Sequence, residues 1–182
     1  TNYVPVNDPD HLDDPNRWQP LKNPDGTTQR YLLPHWGQVT PFALKRSAEF
    51  RPSPPPQHPN PLYRMEADEV LALSATLTDT SKTIAEYWAT GAGGDPVSGA
   101  ANPPAHWNIL AHTVSARDAH TLDEHVKMFF ALGNTLLDVS IAVWECKRIY
   151  DYVRPVSAIR FLYDGKPLRA WGGPYQGTQQ IR

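Results

Sequence analysis

The sequence predicts an all-α fold, a helical bundle wrapped by a proline-rich, loop-rich N-terminal arm. Three observations carry that expectation. Thirteen of the 19 prolines fall within residues 1–61. From Met65 onward the apolar residues recur at helical spacing. No segment of useful length alternates with the two-residue period of a strand.

The arm comes first. Each proline fixes φ, removes a backbone donor and biases the preceding residue away from helix. Residues 1–64 should therefore run as extended coil and turns, with polyproline character over Ser53–Pro61. Trp18, Tyr31, Leu32, Leu33, Trp36, Phe42 and Leu44 equip this arm to pack on a body; serving as a proline-rich ligand for a partner domain is the alternative. The body, residues 65–182, opens with an amphipathic helix over Ala67–Ala89, on which Val70, Leu73, Leu77, Ile84 and Trp88 share a face. A Gly/Pro-rich loop follows from Gly91 to Pro104, then a helix over Ala105–Ala116. The longest helix spans Thr121 to Val153 and is apolar almost all round, the pattern of a central bundle helix. Pro155 suits the first position of one more short helix.

Composition excludes several functions. A formal charge of −2, a pI near 6.3 and the lack of a Lys/Arg cluster argue against nucleic-acid or anionic-membrane binding. The single cysteine, Cys146, rules out an internal disulfide framework. The longest uncharged run of the long helix, Met128–Leu137, holds 10 residues where ~20 are needed, so the chain is expected not to span a membrane.

Chemistry points to the end of the long helix. Lys147 and Arg154 are seven apart, about two turns at ~100° per residue, and Trp144 lies one turn before Lys147 on the same side. A lysine and an arginine converging from a buried helix need an anion, and a tetrahedral oxyanion suits a point charge beside a rigid fork of donors. Alternatively Asp151, four residues after Lys147 and three before Arg154, neutralises one of them as a helix-surface pair. Other candidates carry less. His106, His112, His120 and His125 lack the spacing of a helical metal pair. Asp8, Asp10, Asp13 and Asp14 read as turn formers rather than a calcium loop. Cys146 reads as a small buried hydrophobe rather than an activated thiol. No glycine-rich phosphate loop and no Gly-x-Ser-x-Gly elbow occur.

The Lys147-x6-Arg154-Pro155 motif resembles the first signature of the vanadium-dependent haloperoxidase and type 2 phosphatidic acid phosphatase superfamily. The flanks Ala142–Lys147 and Tyr150–Arg160 are similar to its bacterial haloperoxidase-like branch, as are Asp14–Leu21, Pro34–Phe42 and Pro103–Asn108. The resemblance implies the N-terminal part of a vanadium haloperoxidase-type bundle, with Lys147 and Arg154 donating to bound vanadate, or to phosphate in the phosphatases. It further implies that the lysine polarises bound peroxide and that Trp144 lines the halide pocket; a plain core aromatic is the other reading of Trp144. Asp151 is a further candidate for the pocket or its surroundings. Hydrogen peroxide, halide and a small organic molecule would be the reactants.

Two further family signatures, Pro-Ser-Gly-His and Ser-Arg-x5-His, are missing. Ser98-Gly99 is followed by Ala100, and Arg117 has Asp123 six residues on. The metal-binding histidine is therefore expected outside these residues, in a domain continuing beyond 182 or in a separate chain, and alone the chain should not catalyse. An acid phosphatase of the same superfamily and a non-catalytic helical subunit are the alternatives. The absent initiator Met and the family's frequent export point to the periplasm or the outside.

Overall fold

Helix formation begins where the proline run ends. In the computed structural model, which describes residues 3–88, 103–173 and 175–181, the Asn60 side chain accepts a hydrogen bond from the Leu62 amide and Pro61 takes the first helical position. Helix α1 spans Pro61–Ala75 and α2 spans Asp79–Trp88. The single helix expected over Ala67–Ala89 is thus two. Thr76 turns its hydroxyl back to the Ala72 carbonyl at 2.8 Å, and Thr78 and Ser81 exchange side-chain and backbone hydrogen bonds that open α2. The apolar spacing runs through the break, so periodicity alone conceals it.

Helix α3 spans Pro103–Arg117, slightly longer than expected because its first turn tolerates the two prolines. The loop expected from Gly91 to Pro104, with Ser98-Gly99, lies outside the described residues as far as Asn102, and its last two residues open α3. Helix α4, Leu122–Tyr150, opens on a capping box in which Thr121 and Glu124 satisfy each other's backbone amides. It stops at Tyr150 rather than Val153, because Asp151 adopts a left-handed conformation (φ 44°, ψ 41°). Helix α5, Pro155–Leu162, starts on the proline as expected. Contrary to the expectation of no strands, Leu168–Trp171 (β1) and Thr178–Ile181 (β2) pair antiparallel, Leu168 opposite Ile181. Four-residue strands are too short to display a period. The hairpin rests on α1 through Trp171 N to Ser74 Oγ and Thr178 Oγ1 to the Ala75 carbonyl. A small core of Tyr63, Ala67, Val153, Ala158 and Leu162 joins α1 to α5.

Residues 30–52 are bolted along one stripe of α4. Asp138, Ile141 and Glu145, spaced to share a face, are its buried residues. The Asp138 carboxylate accepts from the backbone amides of Phe42, Ala43 and Leu44 at 2.5–2.9 Å. Glu145 pairs with Arg51 through Nε at 2.9 Å and through Nη2. Trp36, in a 3-10 turn over Trp36–Gln38, donates to Ser140 Oγ at 2.9 Å. Beside it Gly37 meets the helix backbone so closely that a Cβ would stand 2.6 Å from the Glu145 Cα.

The rest of α4 departs from the picture of a covered central helix. Val126 and Phe130 are each 61% exposed, and Val139 is more than half exposed. By length and composition α4 does qualify as a membrane-crossing helix, since Lys127, Asp138, Glu145 and Lys147 dilute its apolar character less than the uncharged run suggests. Phe130 nevertheless meets Phe42 of the loop segment edge-on, with ring centroids 5.6 Å apart.

Two outcomes follow from this packing. Gly37→Ala must push the 3-10 turn off α4 and should cost about 1–3 kcal/mol in chemical denaturation. Burial raises the Asp138 pKa, but the three amide donors together outweigh it and hold the carboxyl below its usual range. Its contribution is therefore present above about pH 4 and is lost as pH falls through the lowered native value. Asp138→Asn should flatten that acid limb of a stability–pH curve.

Candidate functional site

The left-handed turn at Asp151 sets the site. Its carboxylate is buried (1% exposed), accepts from Tyr3 Oη at 2.6 Å and lies 3.0 Å from Arg17 Nη2. Its amide donates to the Lys147 carbonyl, and its own carbonyl accepts from the Trp18 amide at 2.7 Å. Tyr152 then bridges to Arg17, and the Val153 amide donates to the Asn16 carbonyl. These contacts turn the chain and leave Arg154 at the N-cap of α5.

Lys147 and Arg154 consequently do not project from two turns of one helix, as the spacing suggests. Lys147 stands in the last turn of α4, Arg154 just past the break, and both line one cavity of about 910 Å³. Trp144 lines it too. Its indole is held by a 2.9 Å hydrogen bond from Nε1 to the Leu32 carbonyl, and Lys147 Nζ sits 4.3 Å from the ring centroid. That contact makes Trp144 a platform for the lysine, not a plain core aromatic. Asp151 is not brought into the cavity. Among the described residues its ionic partner is Arg17, so it neutralises neither Lys147 nor Arg154.

Arg154 is half-buried and lies 5.4 Å above the Trp18 ring. Its fork donates to Gln29 Oε1 from both terminal nitrogens at 3.1 Å, and to the Gln19 carbonyl at 2.9 Å. Its Nε is buried without a hydrogen-bond partner. No carboxylate lies within ion-pair distance of Arg154 or Lys147 among the described residues. Burial lowers the Arg154 pKa from its ordinary value, but a guanidinium stays charged. Arg30 adds a third cation to the cavity, whose described lining contains no Asp or Glu. Tyr31 also lines it. Burial pushes this phenol up to about 12, keeping it a neutral donor, and its hydroxyl is buried without a partner.

Sequence reasoning missed Gln19, Gln29, Arg30 and Trp18. Gln29 is 125 residues from Arg154, and no spacing rule reaches that far. Only the Asp14–Leu21 stretch of the resemblance touched this group, through Trp18 and Gln19. Cys146 is half-buried at the cavity, where burial raises its thiol above the ordinary value, the opposite of an activated thiolate. The aspartates near the start shape turns: Asp8 caps the amides of Asp10 and His11, Asp14 that of Asn16, while Asp10 binds Lys22. His125 hydrogen-bonds the buried Ser115 at 2.9 Å. No three His, Cys, Asp or Glu side chains converge as around a metal ion among the described residues.

The helical bundle thus turns a lysine and an arginine onto one cavity whose described lining holds no carboxylate. Residues 127–182 match the family model of the VCPO second helical-bundle domain. The whole chain superposes on a bacterial vanadium-dependent chloroperoxidase, on its apo form with a TM-score of 0.82 at 28% identity and on its holo form with 0.80 at 27%. No curated protein matches. The chain is thus similar to a vanadium-dependent chloroperoxidase in fold and over its last third in sequence, and it spans 41% of the length of the solved chloroperoxidase chain.

The separation of Asp151 from the cavity has a measurable consequence. Asp151→Asn should lower stability by about 2–3 kcal/mol, less than a fully buried pair because Arg17 is 40% exposed. Oxyanion affinity should stay within about twofold of the parent, as titration calorimetry would register.

Proposed function

We propose that these residues form part of a vanadate-dependent haloperoxidase-like enzyme that oxidises halide with hydrogen peroxide, and that they supply the Lys147/Arg154 side of its oxyanion site. One observation carries the reading: three cations and no carboxylate among the described residues line one cavity. The residues present fit a tetrahedral oxyanion. Arg154 is held only by uncharged acceptors, has an unpartnered buried Nε, and presents a planar donor fork. Vanadate, when bound, supplies the Lewis acidity that activates hydrogen peroxide toward halide.

The remaining steps belong to the chain. Arg154 orients the anion by directional hydrogen bonds, while Lys147, steadied over Trp144, places a mobile point charge where negative charge gathers. Trp144 walls the approach beside that charge and limits which halide reaches it. A cavity of about 910 Å³ exceeds an oxyanion and leaves room for a small organic acceptor of the oxidised halogen. The histidine that the family uses as metal ligand would come from outside these residues; the likeness to only 41% of the solved chloroperoxidase supports that. The same cradle suits phosphate, so turnover of a phosphomonoester without peroxide is the competing outcome.

The full protein reconstituted with orthovanadate should brominate monochlorodimedone in a reaction needing both bromide and peroxide. Lys147→Ala and Arg154→Ala should each weaken orthovanadate binding by about 10- to 100-fold, the scale of a charge-assisted hydrogen bond. Unchanged binding in both variants would remove the site from this cavity.

A further inference from the structure

Elsewhere among the described residues the buried ends of cations meet carboxylates: Arg17 faces Asp151 and Arg51 faces Glu145. Arg154 is the contrast. Both terminal nitrogens converge on one neutral oxygen, Gln29 Oε1, at 3.1 Å, and Nη2 also reaches the Gln19 carbonyl at 2.9 Å. Trp18 lies 5.4 Å beneath the guanidinium. Gln29 itself lines the cavity. A glutamate at this position would have the same shape and reach and would bind the fork more strongly, but it would cancel the charge. A neutral acceptor holds the arginine in place and leaves its positive charge unspent.

We propose that Gln29 is the positioning residue of the oxyanion site: its amide oxygen fixes the Arg154 fork toward the cavity without neutralising it, and its neutrality sets the site's affinity for anions. Gln19 serves the same end through its carbonyl, while its side chain accepts from the buried Ser157 hydroxyl at 2.8 Å and anchors the segment. The proposal deepens the oxyanion reading and rests on it.

The test separates shape from charge. Orthovanadate and inorganic phosphate binding to the full protein would be measured by titration calorimetry for the parent, Gln29→Glu, Gln29→Met, Arg154→Ala and Lys147→Ala, with thermal melting of each. Gln29→Glu gains a salt bridge, so its melting temperature should hold or rise while affinity for both anions falls about tenfold or more. Gln29→Met keeps neutrality and loses the acceptor; affinity should fall about three- to tenfold as the fork loosens. This opposite movement of melting temperature and affinity in Gln29→Glu is something a merely structural role would not produce. Parent-like affinity in Gln29→Glu, with Arg154→Ala weakened, overturns the role of Gln29 and leaves the site standing. Parent-like affinity in Gln29→Glu, Arg154→Ala and Lys147→Ala together overturns the oxyanion site itself. A Gln29→Glu loss of affinity accompanied by an equal loss in Gln29→Met and a lowered melting temperature in both would assign Gln29 to folding alone.

Discussion

The buried carboxylate of Asp151 holds the molecule's central turn. It stops α4 in a left-handed conformation, binds Arg17 and Tyr3, and offers its carbonyl to the Trp18 amide. An aspartate tolerates that conformation better than a branched residue, because its short side chain is compatible with the left-handed region. The N-terminal residues dock on the turn and bring Trp18, Gln19 and Gln29 beside Arg154. Burial and Asp151 together hold the Tyr3 phenol above its ordinary value, so the donor of that hydrogen bond keeps its proton. The turn ends α4 at Tyr150, and Pro155 keeps Arg154 at a cap rather than within a helix.

The two buried carboxylates within α4 serve differently. Asp138 and Glu145 gather the loop segment onto one stripe by meeting backbone amides and Arg51. This arrangement explains how a chain so rich in proline stays ordered on a helix. Proline-rich backbone has few amides to offer, so docking relies on side chains of the helix and on the prolines' carbonyls. Tyr150 and Tyr152 donate to the Pro52 and Pro56 carbonyls in that way, which makes the proline run a wall of the cavity. Neither carboxylate reaches the described cavity lining, which keeps Arg30, Lys147 and Arg154 as its charged groups.

Much of the architecture was legible beforehand. The crowding of prolines, the long apolar helix, the short helix launched by Pro155 and the lysine–arginine pair are all local patterns, and local patterns survive in sequence. The break at Thr76–Thr78 was hidden because apolar spacing continues across it, while threonine hydroxyls compete with the helix only when the neighbouring backbone permits. The β1–β2 hairpin was hidden because its strands are four residues each. The end of α4 was misplaced by three residues because the left-handed turn is stabilised by Arg17 and Tyr3, far away along the chain.

The sequence by itself determined the helical class, the resemblance to the vanadium haloperoxidases, and the two cations with their companion tryptophan. Those follow from residue type and spacing over a few turns. Only the tertiary structure decided whether Asp151 neutralises the cations or builds the turn beneath them, and what holds Arg154 in place of a carboxylate. Both answers depend on contacts between positions more than a hundred residues apart, where no periodicity operates and the energy of bringing two groups together is settled by the packed chain as a whole.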